Sequence, residues 1–342
     1  MLFCIQTGNL VWDIIVNVLI FVVGTAVLVK GSDWFVDAAA NLARRWGVPE
    51  IIIGLTLVSI GTSLPELASS TYAATQGNGG FIIGNIIGSN VTNISLILAI
   101  GIIGMKKMPF DRKVLTRDGF FMLIVYLVCF ALFALPVRSA TGTIHGIDFK
   151  GGILLLILCV SYIFVLFRQA RAAGQEEKKD DPAEEKGGSA LLDLFLLVLG
   201  IAMITAGAKG MVDPVVWGAE KLGVPVLVIS STIVAFGTSV PELAVTLAGI
   251  IKKRHEIALG NIIGSNIFNI LLIFGVTGCI TVLPMETGWI GLLNLGLMGV
   301  TGLLLIFFLF IGKTCLTRGP GFLFLLIYLL FMICNGYAAC AA

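Results

Sequence analysis

Charge is scarce in this chain. Only 12% of its 342 residues are Asp, Glu, Lys or Arg, and 22 basic residues nearly balance 20 acidic ones. Such a balance offers no basic face for nucleic acid and no acidic face for a cationic partner, and motifs for either are missing. Histidine occurs twice, at His145 and His255, each in a predicted loop. The seven cysteines (Cys4, Cys129, Cys159, Cys279, Cys315, Cys334, Cys340) are scattered, with no CxxC and no zinc-like spacing. They read as small apolar packers, which argues against both a disulfide framework and a soft-metal centre. The first apolar run, Leu10 to Val29, has no basic segment before it and no clear small-residue cleavage site, so it is expected to be a retained span.

What the chain does have is hydrophobic length: 58% of residues are hydrophobic and the mean hydropathy is +1.03. Runs of about twenty apolar residues recur from end to end, the signature of a polytopic, all-α membrane protein. Ten spans are expected, at 10–29, 48–75, 80–104, 119–136, 151–168, 190–208, 224–251, 256–280, 288–312 and 320–338. The mixed aromatic, alanine and arginine stretch 33–46 reads as an amphipathic helix lying in the membrane interface. Eighteen Lys and Arg fall in loops on one face and four (Arg138, Lys150, Lys209, Lys221) on the other. By the positive-inside rule both termini are external, and the polar stretch 169–189 is a cytoplasmic flexible linker between halves 1–168 and 190–342.

An internal repeat organises these spans. At an offset of 176 residues GTSLPELA (61–68) falls on GTSVPELA (237–244) and GNIIGSNVTNI (84–94) on GNIIGSNIFNI (260–270). Across 47–96 against 223–272, 23 of 50 positions are identical. Five spans, an odd number, separate equivalent points, so the halves should be inverted copies of five helices each, an architecture common among secondary transporters.

The repeat carries the polar residues. Thr62, Ser63 and Glu66 share one face near the centre of their span, as do Thr238, Ser239 and Glu242. A central acid costs at least about 2.5 to 3.5 kcal/mol to insert, and no Lys or Arg accompanies either glutamate. A cation should offset them. Pro65 and Pro241 each remove a backbone hydrogen bond beside a glutamate, and Gly61 and Gly237 weaken the helix further, freeing carbonyls. The neighbouring spans add Asn85, Ser89, Asn90 and Asn93, with Asn261, Ser265, Asn266 and Asn269 as mates. Glycines 84, 88, 260 and 264 form GxxxG pairs that let helices approach closely. Carboxylates, hydroxyls, amide oxygens and carbonyls are hard ligands and suit Ca2+, which takes about six to eight oxygens, or Na+. Alternatives are single hydroxyls that merely bond within their own helix, and Asp37 and Asp213 as helix-end or interface charges.

On these duplicated G-T-S-[LV]-P-E-L and G-N-x-I-G-S-N motifs the chain resembles the cation/Ca2+ exchanger superfamily, most closely its prokaryotic sodium/calcium branch. The resemblance implies that Glu66 and Glu242 bind Ca2+ with oxygens from Thr62 and Thr238. It implies Na+ ligands at Ser63, Ser239, Ser89, Ser265, Asn93, the two glutamates and the backbone of Ser59 and Ala235. Asn269 stands where potassium-dependent members carry aspartate, which argues against potassium dependence. Gly88 and Gly264 stand where proton-coupled members carry glutamate, which disfavours proton/calcium exchange. The expectation is a Na+/Ca2+ antiporter in a prokaryotic plasma membrane, with one chain as the functional unit and no cofactor beyond the transported ions. A cation channel is the alternative that lacks countertransport. An intramembrane serine hydrolase is disfavoured because no His or Lys is placed to activate Ser63 or Ser239.

Overall fold

The computed structural model describes residues 9–105, 107–110, 112–139, 142–180, 189–222, 235–285, 289–312 and 315–341. Helix dominates. The chain opens with α1 (Leu10–Trp46), whose N-terminal amides at Val11 and Trp12 are capped by the Asn9 side chain. The second span is broken into α2 (Glu50–Ile53), a π-helical turn (Gly54–Val58), α3 (Ser59–Thr62) and α4 (Leu64–Thr75), with a 45° bend at Ser63. Next come α5 (Gly79–Thr92), a π-helical stretch (Asn93–Leu98) and α6 (Ala99–Met105), which together form one span. Strand β1 (Lys107–Pro109), α7 (Arg112–Ala134), β2 (Pro136–Ser139), β3 (Gly142–Ile147) and α8 (Phe149–Asp180) complete the first half.

The second half repeats the plan: α9 (Ala190–Lys221), α10 (Ala235–Thr238), α11 (Val240–Ile251), α12 (His255–Phe268), a π-helical stretch (Asn269–Phe274) and α13 (Gly275–Ile280). It ends with β4 (Leu283–Pro284), α14 (Trp289–Ile311), β5 (Cys315–Thr317) and α15 (Arg318–Ala341). The offset of 176 carries α3 onto α10, α4 onto α11, α5 onto α12 and one π-helical stretch onto the other without a shift at either end.

Among the described residues eight helices are long and apolar enough to cross a membrane, and the bent pair makes nine. The remaining expected span, 224–251, is described only from Ala235 onward, because 223–234 lie outside the described residues. The spans Gly79–Met105 and His255–Ile280 form the centre: 83% and 94% of their most apolar windows are buried, against 17–44% in the other unbroken spans. The outer helices turn Leu, Ile, Val and Phe side chains outward, as lipid requires.

The amphipathic in-plane helix expected at 33–46 does not exist as a separate element. Residues 10–46 form one helix of 37 residues, about 55 Å long, which exceeds the roughly 30 Å hydrocarbon core. Phe35, Val36, Ala38, Ala39, Ala40, Leu42 and Ala43 are buried protein contacts, so the alanine-rich pattern reflects close packing and not residence in the interface. Nothing in 30–46 breaks a helix. It stops at Gly47, in the left-handed conformation (φ 61°, ψ 38°), two residues before Pro49. The expected linker is helical at its start too: α8 runs on to Asp180 through good helix formers, and 181–188 lie outside the described residues.

The sheets and ion pairs gather loops into two groups. Strands β1 and β5 pair antiparallel, as do β2 with β3 and β3 with β4. Lys252 pairs with Asp37 at 2.7 Å and Asp33 at 3.7 Å, Arg254 with Glu50 at 2.7 Å, and Arg45 with Asp193 at 2.7 Å. Asp37 is thus an ion-pairing charge, but it sits inside α1 and not at a helix end. Among the described residues the cysteines at 129, 159, 279, 315 and 334 are free thiols.

Candidate functional site

Both helix breaks fall at a serine. Ser63 (φ −86°, ψ 5°) and Ser239 (φ −90°, ψ 3°) interrupt the helix two residues before a proline, and each glutamate lies in the first turn of the helix that follows. Pro65 and Pro241 occupy the opening turn, where a missing N–H costs nothing. The unpaired N–H groups and dipole of that turn favour a carboxylate there. The two breaks meet: Ser63 Oγ donates to Glu242 Oε1 at 2.9 Å.

Around this junction the polar residues of the two halves cross-connect in duplicate. The Thr62 hydroxyl bonds Asn261 Oδ1 at 3.0 Å, and the Thr238 hydroxyl bonds Asn85 Oδ1 at 3.1 Å. Ser63 and Ser265 lie 3.2 Å apart, oxygen to oxygen, and Ser239 and Ser89 3.1 Å. Since Ser63 gives its single proton to Glu242, Ser265 is the donor in that pair. Asn261 donates to Thr246 Oγ1 at 3.1 Å and Asn85 to Ser70 Oγ at 3.3 Å. Asn269 Nδ2 donates to Asn90 Oδ1 at 2.9 Å.

Five buried oxygens at this junction have no hydrogen-bond partner: both of Glu66, Oε2 of Glu242, and Oδ1 of Asn93 and of Asn269. Glu66, Glu242, Asn93 and Asn269 are each 1% exposed. Leaving such atoms unsatisfied is costly, more so for a charged group, so they mark where something electropositive belongs. Among the described residues neither glutamate makes an ion pair, and no three His, Cys, Asp or Glu side chains converge. What converges is two carboxyls with hydroxyls and amides, a hard-oxygen set.

The structure therefore brings together Glu66, Glu242, Thr62, Thr238, Ser63, Ser239, Ser89 and Ser265, while Asn269 is buried in the π-helical stretch after α12 and bonded to Asn90. Asn93, in the π-helical stretch after α5, is buried with neither amide atom bonded. The Ser59 carbonyl accepts from Ser63 N at 3.0 Å, and its hydroxyl turns to the backbone oxygens of Gly54, Gly260 and Asn261. Ala235 opens α10, and its side chain lies outside the described residues. The GxxxG pair 260/264 works as expected. A Cβ on Gly260 would lie 2.7 Å from Ile51 O, and one on Gly264 would strike Ser59 Oγ, so α12 is pressed against the segment 51–59. The segment that would pack on Gly84 and Gly88 by the repeat, 224–234, lies outside the described residues.

Ser70, Thr246 and Tyr126 escaped the sequence reading. Ser70 and Thr246 were findable, because both carry hydroxyls at the 176 offset, four residues past each glutamate. Tyr126 had no such signal, since its position in the repeat is Gly302.

The model of the sodium/calcium exchanger protein family matches residues 16–168 and 192–336. The sodium/calcium exchanger MaX1 of Methanosarcina acetivorans is 35% identical over 94% of this chain and 98% of its own length. Inner membrane protein YrbG of Escherichia coli is 36% identical over 77% of this chain and 79% of its own. Among solved structures, the sodium-calcium exchanger NCX_Mj soaked with 10 mM Na+ and no Ca2+ superposes with a TM-score of 0.78 and 31% identity, covering 93% of this chain and 98% of that one. With a family match over most of its length, full-length relatives and a fold shared with a solved exchanger, the chain belongs to the sodium/calcium exchanger family of integral membrane transporters.

Proposed function

We propose that this chain exchanges Na+ for Ca2+ by alternating access, with the two ions competing for one oxygen cluster at the junction of the broken helices. The observation that carries this reading is the set of five unpartnered buried oxygens on Glu66, Glu242, Asn93 and Asn269, with no cationic side chain among them. Glu66 and Glu242 supply the charge that Ca2+ needs, and Thr62 and Thr238 the oxygens beside them. Na+ is held by Ser63, Ser239, Ser89, Ser265, Asn93 and the same glutamates. Because the carboxylates serve both ions, one must leave before the other binds, and this competition couples the fluxes.

The cluster belongs at the membrane midplane, between two inverted five-helix repeats. Supporting this, equivalent segments β1 and β4 sit at opposite ends of α7: β1 precedes that helix, while β4 pairs with β3, which pairs with β2 beyond its far end. Helices α1 and α9 are the moving pair. They pack closely on each other through glycines (a Cβ on Gly207 would lie 2.5 Å from Leu28 N, one on Gly24 2.6 Å from Gly210 C), as two helices that slide together as one unit would. A single chain holds both half-sites and is the functional unit. Its place is the prokaryotic plasma membrane, termini outside.

The test is Ca2+ uptake into proteoliposomes loaded with Na+, against vesicles loaded with K+ or choline. Uptake that needs internal Na+ and is lost in Glu66→Gln is the expected result. Uptake driven by a pH gradient alone would reassign the protein to proton/calcium exchange, and flux with no countergradient would make it a channel.

A further inference from the structure

The repeat makes it possible to ask which contacts around the oxygen cluster have a mate at the 176 offset. The threonine–asparagine, serine–serine and asparagine–hydroxyl bonds all do. The asparagine–asparagine bond does not. Asn269 Nδ2 donates to Asn90 Oδ1 at 2.9 Å, which fixes the amide and leaves Oδ1 free to act as a ligand. Its mate would be Asn93 Nδ2 donating to Asn266 Oδ1. That acceptor is instead engaged by the Tyr126 hydroxyl at 2.9 Å, while Asn266 Nδ2 donates to Ile262 O at 2.7 Å. Asn93 is left 1% exposed with Oδ1 and Nδ2 both unpartnered.

Tyr126 breaks the repeat on its own account. It is 1% exposed on α7, and its equivalent on α14 is Gly302. A Cβ at Gly302 would lie 2.9 Å from the Tyr126 ring, so the tyrosine occupies the hollow that its own mate leaves. Both departures from symmetry, the added hydroxyl and the vacated side chain, serve to seat one phenol against Asn266.

We infer that Tyr126 is a positioning residue: with the Ile262 carbonyl it fixes the Asn266 amide in an orientation that leaves Asn93 uncommitted, making the two asparagines of the cluster inequivalent. Asn269 presents its oxygen in one fixed orientation. Asn93 must be ordered by the ion it binds, and so binds more weakly and releases sooner. This rests on the reading of Asn93 as a Na+ ligand. Asymmetry of this kind lets a nearly symmetric cluster empty one side first.

Tyr126→Phe keeps the ring over Gly302 and removes only the hydroxyl, so the Asn266 amide is freed to turn and Asn93 Nδ2 can bond its oxygen as Asn269 bonds Asn90 on the other side. In proteoliposomes the expected result is a Na+ concentration for half-maximal exchange lowered about threefold to tenfold, the worth of one neutral hydrogen bond, with a lower maximal rate and an unchanged Ca2+ concentration dependence. The Na+ dependence of the melting temperature of the detergent-solubilised protein reads the same ligand without transport, and its midpoint should fall likewise. In the Asn93→Ala background, Tyr126→Phe should shift neither quantity. Constants for both ions moving together, or a Tyr126→Phe effect that survives Asn93→Ala, would mark a merely structural tyrosine and overturn the inference. An unchanged melting midpoint overturns it too. If the wild type showed no Na+-driven Ca2+ uptake the exchange reading would fail, while the melting midpoints would still decide the role of Tyr126.

Discussion

Ser63 and Ser239 occupy equivalent positions but do different things. Ser63 donates to Glu242 Oε1 at 2.9 Å, while Glu66 keeps both oxygens unbonded, so the two acids meet a cation with different numbers of free oxygens. Ser63→Ala removes a hydrogen bond to a charged group, worth roughly 1.5 to 3 kcal/mol. It should weaken apparent Na+ affinity about 10- to 100-fold in the exchange assay. Ser239→Ala gives up a neutral bond to Ser89 at 3.1 Å and should cost about tenfold or less. Equal losses would mean that the Ser63–Glu242 bond does not persist in the ion-loaded protein.

Among the elements, the broken and π-helical segments carry both buried glutamates and the asparagines at 93 and 269, whereas an unbroken helix would bond every carbonyl to its own amides. Their placement depends on close approach by glycine. Gly264→Ala would drive a methyl into Ser59 Oγ and within 2.9 Å of Leu55 O, both in the segment that carries Thr62. Overpacking there costs about 1 to 3 kcal/mol, and we expect a lower melting temperature together with lost exchange. Gly207→Ala acts elsewhere, at the α1–α9 crossing, where its Cβ would meet Leu28 N at 2.5 Å and Gly24 O at 2.7 Å. If those helices slide, this variant should keep the Na+-dependent rise in melting temperature and lose transport. Loss of the Na+ response as well would place the crossing within the binding site's own support and count against sliding.

At the scale of the molecule, loops that share a face are tied together: β1 to β5, β2 and β3 to β4, and the Lys252 and Arg254 corner to Asp33, Asp37 and Glu50. The grouping agrees with the division made by counting basic residues, since every joined pair falls on one side of that division. In a cysteine-free background, Thr317→Cys and Lys150→Cys, both exposed, should be labelled by a membrane-impermeant maleimide from opposite faces, with Lys150→Cys reached from outside. Labelling of both from one side would refute the topology.

The sequence by itself determined the class of protein, the repeat and nearly every residue of the cluster. Hydrophobic length, the 176-residue offset and the expense of two central glutamates are all local or periodic properties, and such properties survive in a string of letters. It misjudged 33–46, because the alanine-rich stripe that suits an interface equally suits a close helix contact, and only the packing partner distinguishes them. Tertiary structure alone decided how the polar atoms share their bonds. A hydroxyl has one proton and a side-chain amide two, so which acceptors they take depends on neighbours far apart in the chain. Ser63 reaches Glu242, the Ser59 hydroxyl turns to backbone oxygens, and Tyr126 bonds the Asn266 oxygen that the repeat alone would have paired with Asn93.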